Sequence, residues 1–448
     1  MLSTFLIRSK PIQEFTVLKL FGCVFIKYPN CLKNRIIFCK SMTVAVVFDI
    51  MITVMQHNLK IFTENVQADA VNQIYTLISQ LPFEAQQVRI MPDVHFGMGC
   101  VVGFTSTMGD KVIPNVIGVD IGCGMYTAEM GQIDIDYKAL DEFIKKNIPA
   151  GPNYLKEVDG EDIIKKLRCF KELRNFDRLY GSLGTLGGGN HFIEVDADEQ
   201  GSKYLVIHSG SRNLGLQVAK IYQKRAVEAC KNAAVLEREQ VIAELKKQNR
   251  QGDIPEAVQS VNAKYAYRTK IPADLCYLDG AAMDDYMHDM RLCQQFAVRN
   301  RAKMAGKILG FLKVRKYSSF ETVHNFIDEF NVIRKGAIPA HKGQKVLIPM
   351  NMRDGCLICV GKGNGDWNNS APHGAGRLYS RSESKQLFTV EEFQNEMQGI
   401  YTTTVNQSTL DESPMAYKPM DEIVSLISPT VDIIKIIKPQ YNFKAGEE

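Results

Sequence analysis

Two glycine-punctuated apolar stretches constrain this chain most: VRIMPDVHFGMGCVVGFTST (88–107) and VIPNVIGVDIGCGMYTAEM (112–130). Apolar runs of about four to eight residues closed by Gly or Pro are too short for bundle helices and read as strands. Around them lie helical patterns. NLKIF reads as a strand and AVNQIYTLISQL as a helix, and a helical stretch is expected from Tyr137 to Phe176. The glycine-rich GSLGTLGGGNHFIEV and the strand YLVIHSGSR follow. Residues 215–268 read as a helical insertion, because VLEREQVIAELKKQNRQ is rich in strong helix formers and i,i+4 charge pairs. Further helices are expected over Asp284–Leu312 and Met420–Ile427. Helices and strands mix without regular βαβ alternation, which predicts an α+β fold.

With 448 residues, 45% of them hydrophobic and 23% charged, the chain can bury the core of one large or two ordinary domains. A net charge of +4 permits a phosphate-binding cleft without demanding one. The 11 cysteines are odd in number and lack a framework spacing, which points to a reducing compartment; the cytoplasm is expected. The single C-x-x-C, Cys356 to Cys359, lacks a second pair and lies in the apolar CLICV, so it reads as buried strand. The strongest membrane candidate, VAVVFDIMITVM, carries Asp49 and falls short of the ~18 residues that a spanning helix needs; no membrane partner is expected. Residues 1–54 are basic and acid-poor. A transit peptide can look so, but Ser-rich amphipathic periodicity is lacking, and the expected reading is an extension upstream of a working start at Met51 or Met55.

Of the eight histidines, four fall in glycine-dense or polar turns: His191 in GGGNHF, His208 in VIHSGSR, His324 in VHNF and His373 in APHGAGR. Asp120 and Cys123 form an i,i+3 pair among the glycines of GVDIGCG, where backbone can approach a ligand closely. Thiolate, imidazole and carboxylate together can hold one borderline divalent ion, or two if the thiolate bridges. Spacing alone leaves open which ligands converge. GTLGGGN is equally a phosphate cradle or a tight turn. GKGNGDW fails the dinucleotide fingerprint because Asp366 replaces its third glycine, and neither a P-loop nor the Lys-x-Asp-Gly of lysine-adenylating ligases is present.

IMPDVHFGMG, IPNVIGVDIGCGM, GTLGGGNHFIEV, HSGSR, VHN, RKGAIPA and HGAGR occur in the order and approximate spacing of the RtcB family of RNA ligases, which the chain resembles from about Met55 onward. The resemblance implies an RtcB-like catalytic domain over 55–448, with mixed sheets around a central metal and nucleotide cleft. It further implies two Mn²⁺ ions on Asp120, Cys123, His191, His208 and His324, with the thiolate bridging, and His373 as the nucleophile that takes guanylate from GTP. The guanylate pocket it implies comprises Asn190, His191, Phe192, Glu194, His324, Asn325, Pro349, Met350, Asn351, Met352, Cys356, Gly374, Ala375, Gly376, Tyr417 and Lys444.

Two departures stand out. Many members read P-G-S-M-G where this chain has Pro349-Met350-Asn351-Met352-Arg353, which bears on nucleotide contacts. Four residues also follow Lys444, where members often carry one. Arg212, Arg377 and Arg381 suit RNA phosphate, and Asp93 and His95 are expected to support the site from behind. The implied activity joins RNA 3′-phosphate or 2′,3′-cyclic phosphate ends to 5′-hydroxyl ends, in RNA repair or tRNA splicing. A two-metal phosphoesterase and a non-catalytic RNA-binding protein are the rival readings. The sequence leaves open whether an accessory activator protein takes part.

Overall fold

The computed structural model describes residues 58–266 and 268–444, and in the first 57 residues the strands Ser3–Ile7, Phe15–Leu20, Cys23–Lys27 and Ile36–Phe38. Those four strands pair antiparallel in chain order. The chain divides into two units, Met1–Gln56 and His57–Glu448. The expected starts at Met51 and Met55, and the four residues after Lys444, lie outside the described residues.

The second unit mixes helices and sheets in the α+β manner. Its larger sheet has seven antiparallel strands in the order Ser318–Val323, Gly124–Gly131, Lys203–Ser209, Phe192–Ala197, Val431–Lys444, Gly355–Gly361 and Lys345–Asn351. A five-stranded sheet runs Asn325–Ile327, Val332–Lys335, Val102–Thr107, Gln87–His95 and Asn58–Ile61, with only the last pair parallel. His324 is the single residue between Ser318–Val323, an edge strand of the larger sheet, and Asn325–Ile327, an edge strand of the other. The two sheets therefore meet at a histidine, and the site is built there.

Strand alternation sorts the side chains of Phe192–Ala197. Ile193 and Val195 join a core with Leu205, Ile207 and Met304, whereas Phe192, Glu194 and Asp196 face the other side. Helix Gly280–Phe311 packs on this core through Met304, Ala305, Ile308 and Leu309. One turn earlier it turns two buried polar residues toward the loops. Asn300 Oδ1 accepts from Gly184 and Thr185 N–H at 2.7 and 3.1 Å, and Arg301 donates to the carbonyls of Gly122 (2.9 Å) and Ser209 (2.7 Å). One helix thus ties down the GTLGGGN, GVDIGCG and HSGSR turns.

The expected helix from Tyr137 to Phe176 ends at Asn147. Pro149 and Pro152 lack an N–H to donate, and Gly151 and Gly160 adopt positive φ, so only short helical turns follow. The 215–268 insertion consists of two helices, Arg212–Lys247 and Ile254–Tyr265, broken near Asn249, which has a φ of 58°. Among the described residues no helix is long and apolar enough to cross a membrane.

Candidate active site

The metal-ligand candidates converge from four chain segments. Cys123 precedes strand Gly124–Gly131, His191 precedes Phe192–Ala197, His208 lies in Lys203–Ser209, and His324 sits at the junction of the sheets. Pairing places Phe192 opposite His208, and His208 opposite Met125. Cys123 Sγ lies 3.2 Å from His208 Nε2 and 3.4 Å from His191 Nε2, and His191 Nε2 lies 2.9 Å from Asp120 Oδ2.

Backbone acceptors orient two of the rings. Leu186 O meets His191 Nδ1 at 2.9 Å, and Asn190 O meets His208 Nδ1 at 3.1 Å, leaving each Nε2 toward the thiol. His324 Nδ1 is buried with no hydrogen-bond partner. Two ligand groups result, Cys123–His208–His324 and Asp120–Cys123–His191, each with its donor atoms within 4.8 Å of one another. Cys123 belongs to both. Burial keeps His208 and His324 neutral, well below their ordinary range, which is the form that binds metal. Burial opposes the charge of Asp120, yet His191 and the Cys123 and Arg212 side chains hold it well below the usual carboxylate range.

His373 follows strand Ser370–Pro372, and its ring centroid is 4.9 Å from that of His324. Its Nδ1 lies 2.6 Å from Oδ2 of the fully buried Asp93, which also accepts the backbone N–H of His373 at 3.0 Å and of Gly374 at 3.3 Å. Glycine permits this approach. A Cβ on Gly376 would stand 2.3 Å from Asp93 O.

A third cluster surrounds Glu412. Lys444 Nζ lies 2.5 Å from its Oε2, Tyr417 OH donates to it at 2.7 Å, and Arg377 and Arg381 reach its Oε1 at 3.3 and 2.7 Å. Burial raises the cost of the Glu412 charge, but Lys444, Arg381 and Arg377 outweigh it and hold the carboxyl well below its usual range. Lys444 Nζ also lies 5.7 Å from the centroid of Phe192. All three clusters border one cleft of about 1020 Å³.

The family model described as "tRNA-splicing ligase RtcB" matches residues 73–174 and 170–445. The chain belongs to the RtcB family. It is 28% identical over 430 residues to the RNA-splicing ligase RtcB of Escherichia coli K12, covering 85% of this chain and 95% of that protein. It is 26% identical over 436 residues to the tRNA-splicing ligase RtcB of Nanoarchaeum equitans, covering 80% of this chain and 88% of that one.

Within this RtcB-family cleft, Asn190, Phe192, Asn325, Pro349, Met350, Gly374, Ala375, Gly376, Tyr417 and Lys444 all line the wall. Five residues implied for the nucleotide pocket do not, and one of them, His191, turns to Asp120 and Cys123 instead. Asn351 caps its own turn, accepting from Arg353 and Asp354 N–H at 3.0 and 2.9 Å. Met352 packs with Phe393, Met397 and Leu410. Glu194 and Cys356 are buried beside Asp196, with ligand atoms within 4.8 Å, and burial pushes Glu194 up to about 7. Of the three arginines, Arg377 and Arg381 line the cleft, whereas Arg212 turns to Thr185 Oγ1 (3.2 Å) and Gly151 O (3.3 Å).

Sequence reasoning passed over Glu412, Lys335, Asn300 and Arg301. Lys335 lines the cleft and donates to Ile117 O at 3.3 Å. Asn300 and Arg301 were findable, since they interrupt the apolar stripe between Ala297 and Met304 at helical spacing. Glu412 carries no local signal; its cationic partners Arg377, Arg381 and Lys444 arrive from elsewhere in the chain.

Proposed function

We propose that this chain is a GTP- and Mn²⁺-dependent RNA ligase that joins an RNA 3′-phosphate or 2′,3′-cyclic phosphate end to a 5′-hydroxyl end, in RNA repair or tRNA splicing. The observation carrying this reading is the placement of His373, held by Asp93 and facing the cleft beside His324. A carboxylate only accepts, so His373 Nδ1 carries the hydrogen and the Nε2 lone pair is left for phosphorus. In the proposed sequence Nε2 bonds to the α-phosphorus of GTP as the bond to pyrophosphate breaks. Guanylate then passes to an RNA 3′-phosphate oxygen, any cyclic end having first been opened by water. The 5′-hydroxyl oxygen attacks the activated phosphate, loses its proton, and GMP leaves.

The residues around Cys123 fit two divalent ions. The set is mixed sulfur, nitrogen and oxygen, its shared member is the thiol, and His324 Nδ1 is an otherwise orphaned buried acceptor. Mn²⁺ held there would neutralise charge developing on the phosphoryl oxygens. Phe192, Tyr417 and Lys444 stand on the wall where a nucleotide would lie. A two-metal phosphoesterase would need neither a histidine held in this way nor Lys444. The proposed working enzyme is residues 55–448 and cytoplasmic; support for the compartment is that Cys100, Cys123, Cys169, Cys230, Cys276, Cys293, Cys356 and Cys359 are all buried and unpaired.

The test is labelled GTP with Mn²⁺, followed by mapping of the adduct. Wild type and a chain starting at Met55 should load guanylate on His373, and His373→Ala should load none while keeping its metal. A paired ligation assay then fixes the ends: RNA with 3′-phosphate and 5′-hydroxyl should seal, and RNA with 3′-hydroxyl and 5′-phosphate should not. An adduct on lysine, or the opposite end preference, would overturn the reading.

A further inference from the structure

The rim of the cleft carries apolar side chains that the chemistry above leaves unused. Phe96, on the cleft wall, is 56% exposed, and Met98, 81% exposed, stands two residues further along the same HFGMG turn after strand Gln87–His95. Exposed aromatic rings are ordinary on mobile loops, but this loop is held. Gln73 clamps Gly97 in both directions, its Nε2 donating to Gly97 O at 2.6 Å and its Oε1 accepting Gly97 N–H at 3.2 Å. A Cβ at Gly97 would stand 2.4 Å from Cys100 O, and Gly99 has a φ of 73°. The turn is thus anchored to helix Ala68–Ile78 and follows a path that requires glycine. The backbone presents Phe96 outward, and among the described residues no other ring stacks on it.

Position along the chain relates this ring to the chemistry. Phe96 comes three residues after Asp93, the carboxylate that holds His373, so it stands at most ~10 Å along the extended strand from that anchor. Phe96 borders the cleft itself, as does Tyr379, which is 37% exposed. Arg377 Nε donates to Tyr379 O at 3.1 Å, and Arg381 lines the same wall. Aromatic faces interleaved with guanidinium groups at the mouth of a cleft suit unpaired nucleotides. Bases stack on the rings, and cations answer the phosphates.

We propose that Phe96, assisted by Met98 and Tyr379, is a stacking platform for an unpaired base next to the reacting RNA end. This rests on the RNA-ligase reading above and adds a requirement to it: the RNA end must be single-stranded at the cleft mouth and must carry a base at the stacked position. The platform touches the RNA and leaves GTP alone, so it should govern RNA affinity without affecting guanylate loading.

The test uses the full chain and RNAs bearing 2-aminopurine at each of the terminal positions in turn. Stacking should quench the fluorophore at one position on binding to wild type and to Phe96→Trp, but not to Phe96→Ala. Phe96→Ala should weaken RNA binding about tenfold while loading guanylate at the wild-type rate. An abasic site at the quenched position should abolish the difference between wild type and Phe96→Ala. RNA bound with unquenched fluorophore at every position, or bound equally by wild type and Phe96→Ala, overturns the platform. Failure of wild type to bind RNA at all overturns the RNA reading itself, and the platform with it.

Discussion

Asp93 Oδ2 lies 2.6 Å from His373 Nδ1 and also accepts the backbone N–H groups of His373 and Gly374, although the two side chains are 280 residues apart in sequence. One buried oxygen therefore sets both the rotation of the imidazole and the turn that carries it. Asp93→Ala should leave the ring free to rotate and to protonate at either nitrogen. Guanylate loading is expected to fall by roughly 10² to 10⁴-fold, with metal content unchanged. Single-turnover labelling with GTP measures the first and metal analysis the second. Loading within a few-fold of wild type would remove Asp93 from its orienting role.

Cys123 belongs to both ligand groups that meet at the cleft, whereas His191, His208 and His324 each belong to one. Cys123→Ala should therefore lose both ions, and substitution of any one histidine should lose chiefly its own. Activity should drop at least ~10²-fold in Cys123→Ala. Metal content of the purified variants decides the matter, and two ions retained by Cys123→Ala would refute the shared ligand.

Asp196 and Glu194 lie together under the sheet. Burial, with Glu194 beside it, pushes Asp196 well above its ordinary range, and burial pushes Glu194 from 4.5 up to about 7. Acids raised on folding keep protons that the unfolded chain has released. The folded state thus binds more protons from the ordinary carboxylate range upward, and this pair costs stability as pH rises through about 7. Asp196→Asn removes one of the two acids and should stabilise the protein by on the order of 1–3 kcal/mol at pH 8, with a smaller gain at pH 5. Denaturant unfolding of both proteins at the two pH values checks this. A gain that shrinks with rising pH would contradict the sign.

Glu412 works in the opposite sense. Its carboxyl is held below its usual range against burial, so its contribution is full above 4.5 and is lost as pH falls through the lower folded value. Glu412→Gln should leave Lys444 and Arg377 facing one another without their shared anion, while Arg381 keeps Asp411 at 2.5 Å. A loss of roughly 3–5 kcal/mol is expected at pH 7, together with weaker GTP binding. Thermal melts should show a constant gap between wild type and variant from pH 7 to about pH 5 and a gap that narrows as pH falls further below 4.5; a gap that stays constant below 4.5 would mean that the charge of Glu412 is not what matters.

Local pattern determined a good part of this protein. Apolar runs between glycines announced the strands of the core, and helix formers with i,i+4 charges announced the helix at Arg212–Lys247, with the expected helix over Asp284–Leu312 found as Gly280–Phe311. The ordered motifs announced the family, and they contain Cys123, His191, His208, His324 and His373 because those residues lie in short turns whose glycines are visible in the text. Where several breakers compete, local reading falters. Pro149, Gly151 and Pro152 keep the helix that ends at Asn147 from continuing toward Phe176.

Convergence was decided only in three dimensions. That Glu412 gathers Lys444 and two arginines, that Cys123 joins two ligand groups, and that Asp93 reaches His373 all depend on strand order and register across two sheets. Strand register is set by which faces can be buried together, a property of the whole fold. The same holds for the residues that fell away from the cleft. Asn351 and Met352 stand beside Pro349 and Met350 in sequence, but the register shifts between Pro349 and Asn351 and the ladder ends at Asn351, which caps the turn, with Met352 packed into a separate cluster.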